Sequence, residues 1–190
     1  MIRSLMTFLL AVSSLFCSAQ MNKTDTTLRM LTYGMLELQS ELVEHVVSPK
    51  YGFINYRVAD CSVTKELKDS VARENKKVSN ILEKRFGSDW EKKYNDEVAA
   101  ILHLQAKAKA LVKKEPYIAD KMKLWNIDEY DGLLFLVVIT DMPNVFDVFV
   151  SVYGKQPGED EKVIKYELTV DVETNTVTQK NDTHKVTKPD

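Results

Sequence analysis

The feature that most narrows what this chain can fold into is a change of hydrophobic period near residue 132. From Val163 to Val172, Ile164, Tyr166, Leu168, Val170 and Val172 alternate with Lys165, Glu167, Thr169 and Asp171. Side chains recurring every second residue share one face of a strand, so this stretch reads as a strand wet on one side. Val145–Tyr153 repeats the pattern with Phe146, Val148, Val150 and Val152 on one face. Asp141-Met142-Pro143-Asn144 and Gly154-Lys155-Gln156-Pro157-Gly158 are turn chemistry between strands. Leu133–Ile139 is apolar throughout, which predicts a central strand covered on both faces. Glu173-Thr174-Asn175 turns the chain into a last strand, Thr176–Gln179.

Upstream of residue 132 the apolar residues recur at steps of three and four. Leu28, Leu31, Met35, Leu36, Leu38, Leu42 and Val46 predict a first helix that stops near Ser48-Pro49. Phe53–Val58 reads as a short strand with Ile54, Tyr56 and Val58 on one face. A second helix is expected over Val63–Phe86, stopped by Gly87. Ser88-Asp89-Trp90-Glu91 has capping-box spacing and opens a third helix that runs to Lys113-Lys114. Pro116–Gly132 reads as a short helix and loop. Helices followed by hairpin-linked strands make an α+β fold: three N-terminal helices packed on one face of a C-terminal antiparallel meander of about four strands.

The N-terminus sets the expected compartment. Arg3 precedes the apolar run Leu5–Val12, and Cys17-Ser18-Ala19 offers small residues for cleavage, so residues 1–19 read as a signal peptide. The run is too short for a membrane span, which needs about 20 apolar residues. A lipid anchor at Cys17 is disfavoured, because Phe16 fits poorly in a peptidase pocket made for Gly or Ala. Residues 20–180 then form a single α+β domain, and residues 181–190 a polar, flexible tail. The expected location is periplasmic or secreted. Cys61 is the sole cysteine after cleavage, so no internal disulfide forms, and it is expected to be a buried small apolar residue. The chain carries 26 basic and 28 acidic side chains, and that balance argues against nucleic acid as a partner.

The segment Tyr166-Glu167-Leu168-Thr169-Val170-Asp171-Val172-Glu173-Thr174-Asn175-Thr176-Val177 resembles the closing hairpin of PepSY-like periplasmic domains. The helix-then-strands order is similar to NTF2-like and cystatin-like sheets. No family motif accompanies these likenesses, so they imply a sheet architecture and assign no residue a role.

No catalytic or metal-binding constellation stands out. His45, His103 and His184 lack the His-x-x-x-His or Glu-x-x-His spacing that lets one helix present two nitrogen ligands. Asp128, Glu129 and Asp131 fail the calcium-loop pattern, as do Glu159, Asp160 and Glu161. Lys107, Lys109, Lys113 and Lys114 suit a helix C-terminus, where cations meet the dipole, and could also form a positive rim. No phosphate-cradling glycine loop or nucleophile elbow is present, and no cofactor is expected. The residues singled out for binding are the aromatic connector: Tyr117, Met122, Trp125 and Tyr130, a concentration of large side chains of the types favoured at protein contacts. These features predict an exported non-enzymatic binding module of the bacterial cell envelope, of inhibitor or immunity type, with a protein partner. The alternatives are a small-ligand cavity of NTF2-like or cystatin-like kind, and a carboxylate-dependent hydrolase.

Overall fold

The computed structural model describes residues 27–126, 132–154 and 162–181. Cys17 and the rest of the expected signal peptide, Tyr130, the acidic residues Asp128, Glu129, Asp131, Glu159, Asp160 and Glu161, His184 and the expected tail beyond Asn181 lie outside these residues.

The architecture is α+β, with its antiparallel sheet at the C-terminal end. Its first element differs from the sequence reading. Leu28–Tyr33 is a strand (β1), and the helix behind it (α1) spans Leu38–Val47. The break falls at Gly34, whose φ of 111° suits glycine, and Gly34 N–H donates to the carbonyls of Ala59 and Asp60. After a 3₁₀ turn, Ser48–Tyr51, the strand Phe53–Ala59 (β2) runs parallel to β1, with Leu28 opposite Phe53 and Thr32 opposite Arg57. Pairing with a strand some 25 residues further on outweighed the local three–four spacing, which a strand can also carry.

The long helices follow the sequence closely. The helix α2 spans Lys65–Phe86, with Thr64 Oγ1 accepting from Leu67 N–H at its start and Gly87 ending it. The next, α3, spans Trp90–Val112. The expected capping box is not formed: Asp89 rather than Ser88 is the cap residue, and its carboxylate pairs with Lys93 (3.0 Å) without making a capping hydrogen bond. A short helix, α4, spans Pro116–Leu124 and starts at a proline, whose missing N–H is not needed in a first turn.

The meander consists of Leu133–Ile139 (β3), Val145–Gly154 (β4), Lys162–Asp171 (β5) and Thr176–Asn181 (β6), paired antiparallel in that order. Asn144 and Asn175 take left-handed conformations at two of the turns, which asparagine tolerates. The meander departs from the sequence expectation at both of its edge strands. Asn181 ends β6 rather than starting the tail. And β3 is an edge strand, not a central one: its inner face is packed, while Leu134 on the outer face is 61% exposed.

Apolar packing forms two clusters. The larger joins Phe146, Val148, Val150 and Val152 of β4 and Ile164, Tyr166, Leu168 and Val170 of β5 to Ala108 and Val112 of α3 and Ile118 of α4. The smaller joins Phe53 of β2, Leu82 of α2 and Trp90 of α3, with the Phe53 and Trp90 rings edge-on at 6.1 Å. The helix α3 thus belongs to both, while α2 packs against β1 and α1 bridges α3 and β3.

Candidate functional site

The described residues of the aromatic connector turn their apolar surface towards the sheet. Tyr117, Met122 and Trp125 pack against the larger cluster. The Tyr117 ring lies 5.3 Å from that of Tyr166, and burial, helped by the charge of Glu115, pushes the Tyr117 hydroxyl up to about 12. Trp125 lies directly over Gly154, and Lys121 stands 5.9 Å from its ring. Tyr130 lies outside the described residues. The lysines at the end of α3 are also engaged: Lys107 donates to the Val172 carbonyl, and Lys109 and Lys113 sit 5.0 and 5.7 Å from the Phe135 ring.

His103 is exposed. Cys61 corrects another expectation, since it is an exposed free thiol at the bend between β2 and α2, where no packed layer covers it. Among the described residues, no group of three or more His, Cys, Asp or Glu is arranged to hold a metal ion, and no helix is long and apolar enough to cross a membrane.

The concave feature that gathers chemistry is a groove of about 360 Å³ between α1 and the β1–β2 sheet. Ser40, Glu41, Glu44 and His45 face it from one stripe of α1, the three-to-four spacing that puts helix residues on one side. Asn55 and Arg57, two apart on β2, face it from the sheet, and Thr32, Met35 and Glu37 close the end where β1 passes into α1. Parallel pairing of β1 and β2 places Thr32 beside Arg57, so the floor is assembled from segments far apart in sequence.

Its charges are unevenly satisfied. Arg57 is held by the Glu41 carboxylate and by the Gly34 carbonyl. Glu44 accepts one hydrogen bond, from Asn55 Nδ2 at 2.6 Å; the same nitrogen lies 3.4 Å from the Tyr94 hydroxyl. Burial raises the Glu44 carboxyl above the ordinary value, the Asn55 hydrogen bond opposes the rise, and the nearby negative charge of Glu37 adds to it. Among the described residues, neither Glu37 nor Glu44 has a cationic partner.

The connection that roofs this groove is unusually apolar for a surface. Met35 is 82% exposed, Leu36 and Leu38 are each 53% exposed, and Tyr33 beside them is exposed as well. Contiguous apolar surface left in water marks contact sites more often than scattered single residues do. The sequence reading missed this arm because it counted Met35, Leu36 and Leu38 in a helix stripe and assigned them to the core. The available signal was Gly34 amid the β-formers Thr32 and Tyr33.

Compared with known proteins, the chain matches no family model, no curated sequence and no solved structure. The hairpin likeness to PepSY-like domains therefore rests on the dozen residues that carry it.

Proposed function

We propose that this protein is a non-enzymatic binding module of the bacterial cell envelope, of inhibitor or immunity type, that grips a protein partner with the Tyr33–Leu38 arm and the acidic groove beneath it. The observation that carries the reading is the exposure of Tyr33, Met35, Leu36 and Leu38 along the connection beside a groove in which, among the described residues, Glu37 and Glu44 have no cationic partner. Apolar anchors supply binding energy when desolvated, and neighbouring charge selects the partner. The fitting partner surface presents an apolar patch next to a lysine or arginine. Residues 1–19 support export, and the mature chain recovered from the envelope fraction is expected to begin at Gln20.

A photo-crosslinking residue in place of Met35, used in cells, tests the proposal. It should capture one envelope protein, and Leu36→Lys should weaken binding to that purified protein at least about tenfold, a loss of about 1.4 kcal/mol. Capture no greater than that from the exposed position Lys76 on α2 would refute it.

A second reading, a carboxylate-dependent hydrolase, is favoured by one observation: Glu44 is a half-buried carboxylate with a raised pKa beside a second carboxylate, Glu37. Turnover of a glycoside or ester that is lost in Glu44→Gln would support it, and its absence across such a panel would dismiss it.

A further inference from the structure

Among the described residues, each sheet has an edge strand on which a helix carboxamide bonds both the N–H and the C=O of one residue. On β1, Leu31 N–H donates to Asn75 Oδ1 at 2.8 Å, and Leu31 C=O accepts from Asn75 Nδ2 at 2.8 Å. On β3, Val137 N–H donates to Gln39 Oε1 at 3.2 Å, and Val137 C=O accepts from Gln39 Nε2 at 2.7 Å. The buried Gln105 adds a further donor to that carbonyl at 3.1 Å. A carboxamide offers one acceptor and an N–H donor, as a peptide group does, so each occupies the place of a peptide in an adjoining strand.

The two edges of the four-stranded sheet differ in how they are protected. On β6, Thr176, Thr178 and Lys180 are exposed, and the register slips between Glu167 and Leu168 of its neighbour. Polar and charged side chains and irregular pairing discourage a further strand. By contrast, β3 has seven consecutive apolar residues, no charge, no proline and an unbroken register with β4. Its outer face presents exposed Leu134 together with Leu136 and Val138, level with the exposed Phe149 of β4. Such an edge favours strand addition unless something stands on it.

We infer that β3 is a strand-pairing surface for a second copy of this chain, held shut by the Gln39 carboxamide of α1. The occupant follows from the strand itself. A charge-free strand paired antiparallel with its own copy sets apolar residue against apolar residue and leaves no charge unpaired. The two outer faces, each with its row of Leu134, Leu136 and Val138, then become continuous.

The test compares the full chain with its Gln39→Met variant by sedimentation velocity over a series of concentrations. Methionine keeps the length and helix propensity of glutamine but can neither donate the N–H nor accept as an amide oxygen does. The variant should associate at a protein concentration at least about tenfold lower than the unsubstituted chain, and adding Leu134→Lys should abolish that gain. In the unsubstituted chain the Val137 amide should resist hydrogen exchange as strongly as the β3 amides bonded to β4. Unchanged association in Gln39→Met, association indifferent to Leu134→Lys, or a Val137 amide that exchanges as an open one would each overturn the inference. If Gln39→Met does not fold, Gln39→Ala takes its place in the same comparison.

Discussion

Adding one methyl group to Gly154 tests how the α4 connector is seated. A Cβ built there falls 2.5 Å from Trp125 Cε3, 2.7 Å from Cδ2 and 2.9 Å from Trp125 Cβ, all closer than non-bonded carbons approach. Two of the three atoms belong to a rigid ring that packs against the sheet cluster, so the ring must shift and take its neighbours with it. Inserting volume into a packed site costs about 1–3 kcal/mol. Gly154 is not among the glycines in the left-handed region, so backbone strain adds nothing. At such a position, Gly→Ala without a clash stabilises by about 0.4–1 kcal/mol through the unfolded chain. The sign of the change is therefore diagnostic. For a chain of this length, Gly154→Ala should lower the melting temperature by roughly 2–12 °C, followed by far-ultraviolet circular dichroism. Trp125→Ala removes the two closest contacts, so the double variant should fall short of the sum of the single losses by at least about 0.5 kcal/mol. A Gly154→Ala chain that melts at or above the parent temperature would refute the packing described for Trp125.

Three further outcomes follow from the burial and titration of named groups. The folded-state pKa of Tyr117 is raised from 10.0 to about 12, so its neutral form is favoured in the fold; stability should be lost as pH rises from 10 towards 12, and Tyr117→Phe should flatten that loss in alkaline urea titrations. Glu44 is raised above 4.5, so its ionised form is the one the fold disfavours. Glu44→Gln should increase the urea midpoint at pH 7, and the gain should disappear at and below pH 4.5; an equal gain at low pH would exclude the burial effect. Leu82 is fully buried among Phe53 and Trp90, so Leu82→Ala should cost about 2–5 kcal/mol by chemical denaturation.

What could be read from the sequence was what depends on near neighbours. The alternation of Phe146–Val152 and Ile164–Val172 marks the buried face of β4 and β5 residue for residue, because a strand with one wet side must alternate. The stripes of α2 and α3 were equally plain, since both exceed 20 residues and end near strong signals. The failures share a different cause. Leu28–Tyr33 is extended because β2 lies beside it, and the continuous apolar run of Leu133–Ile139 says nothing about strand order, so its place at an edge was not legible. The groove was hidden for the same reason. Glu37, Glu41 and Glu44 look like the wet side of a helix until β2 brings Asn55 and Arg57 opposite them.

The helix α3 has a mechanical consequence that its two memberships entail. At 1.5 Å per residue its 23 residues make a beam of about 35 Å. Trp90 anchors one end in the smaller cluster, while Ala108 and Val112 anchor the other under the meander. Each lobe thus grips its own end of a shared rod, and loosening one leaves the opposite end clamped. The amides near Trp90 and those near Val112 should accordingly report two separate opening events, with the smaller lobe yielding first.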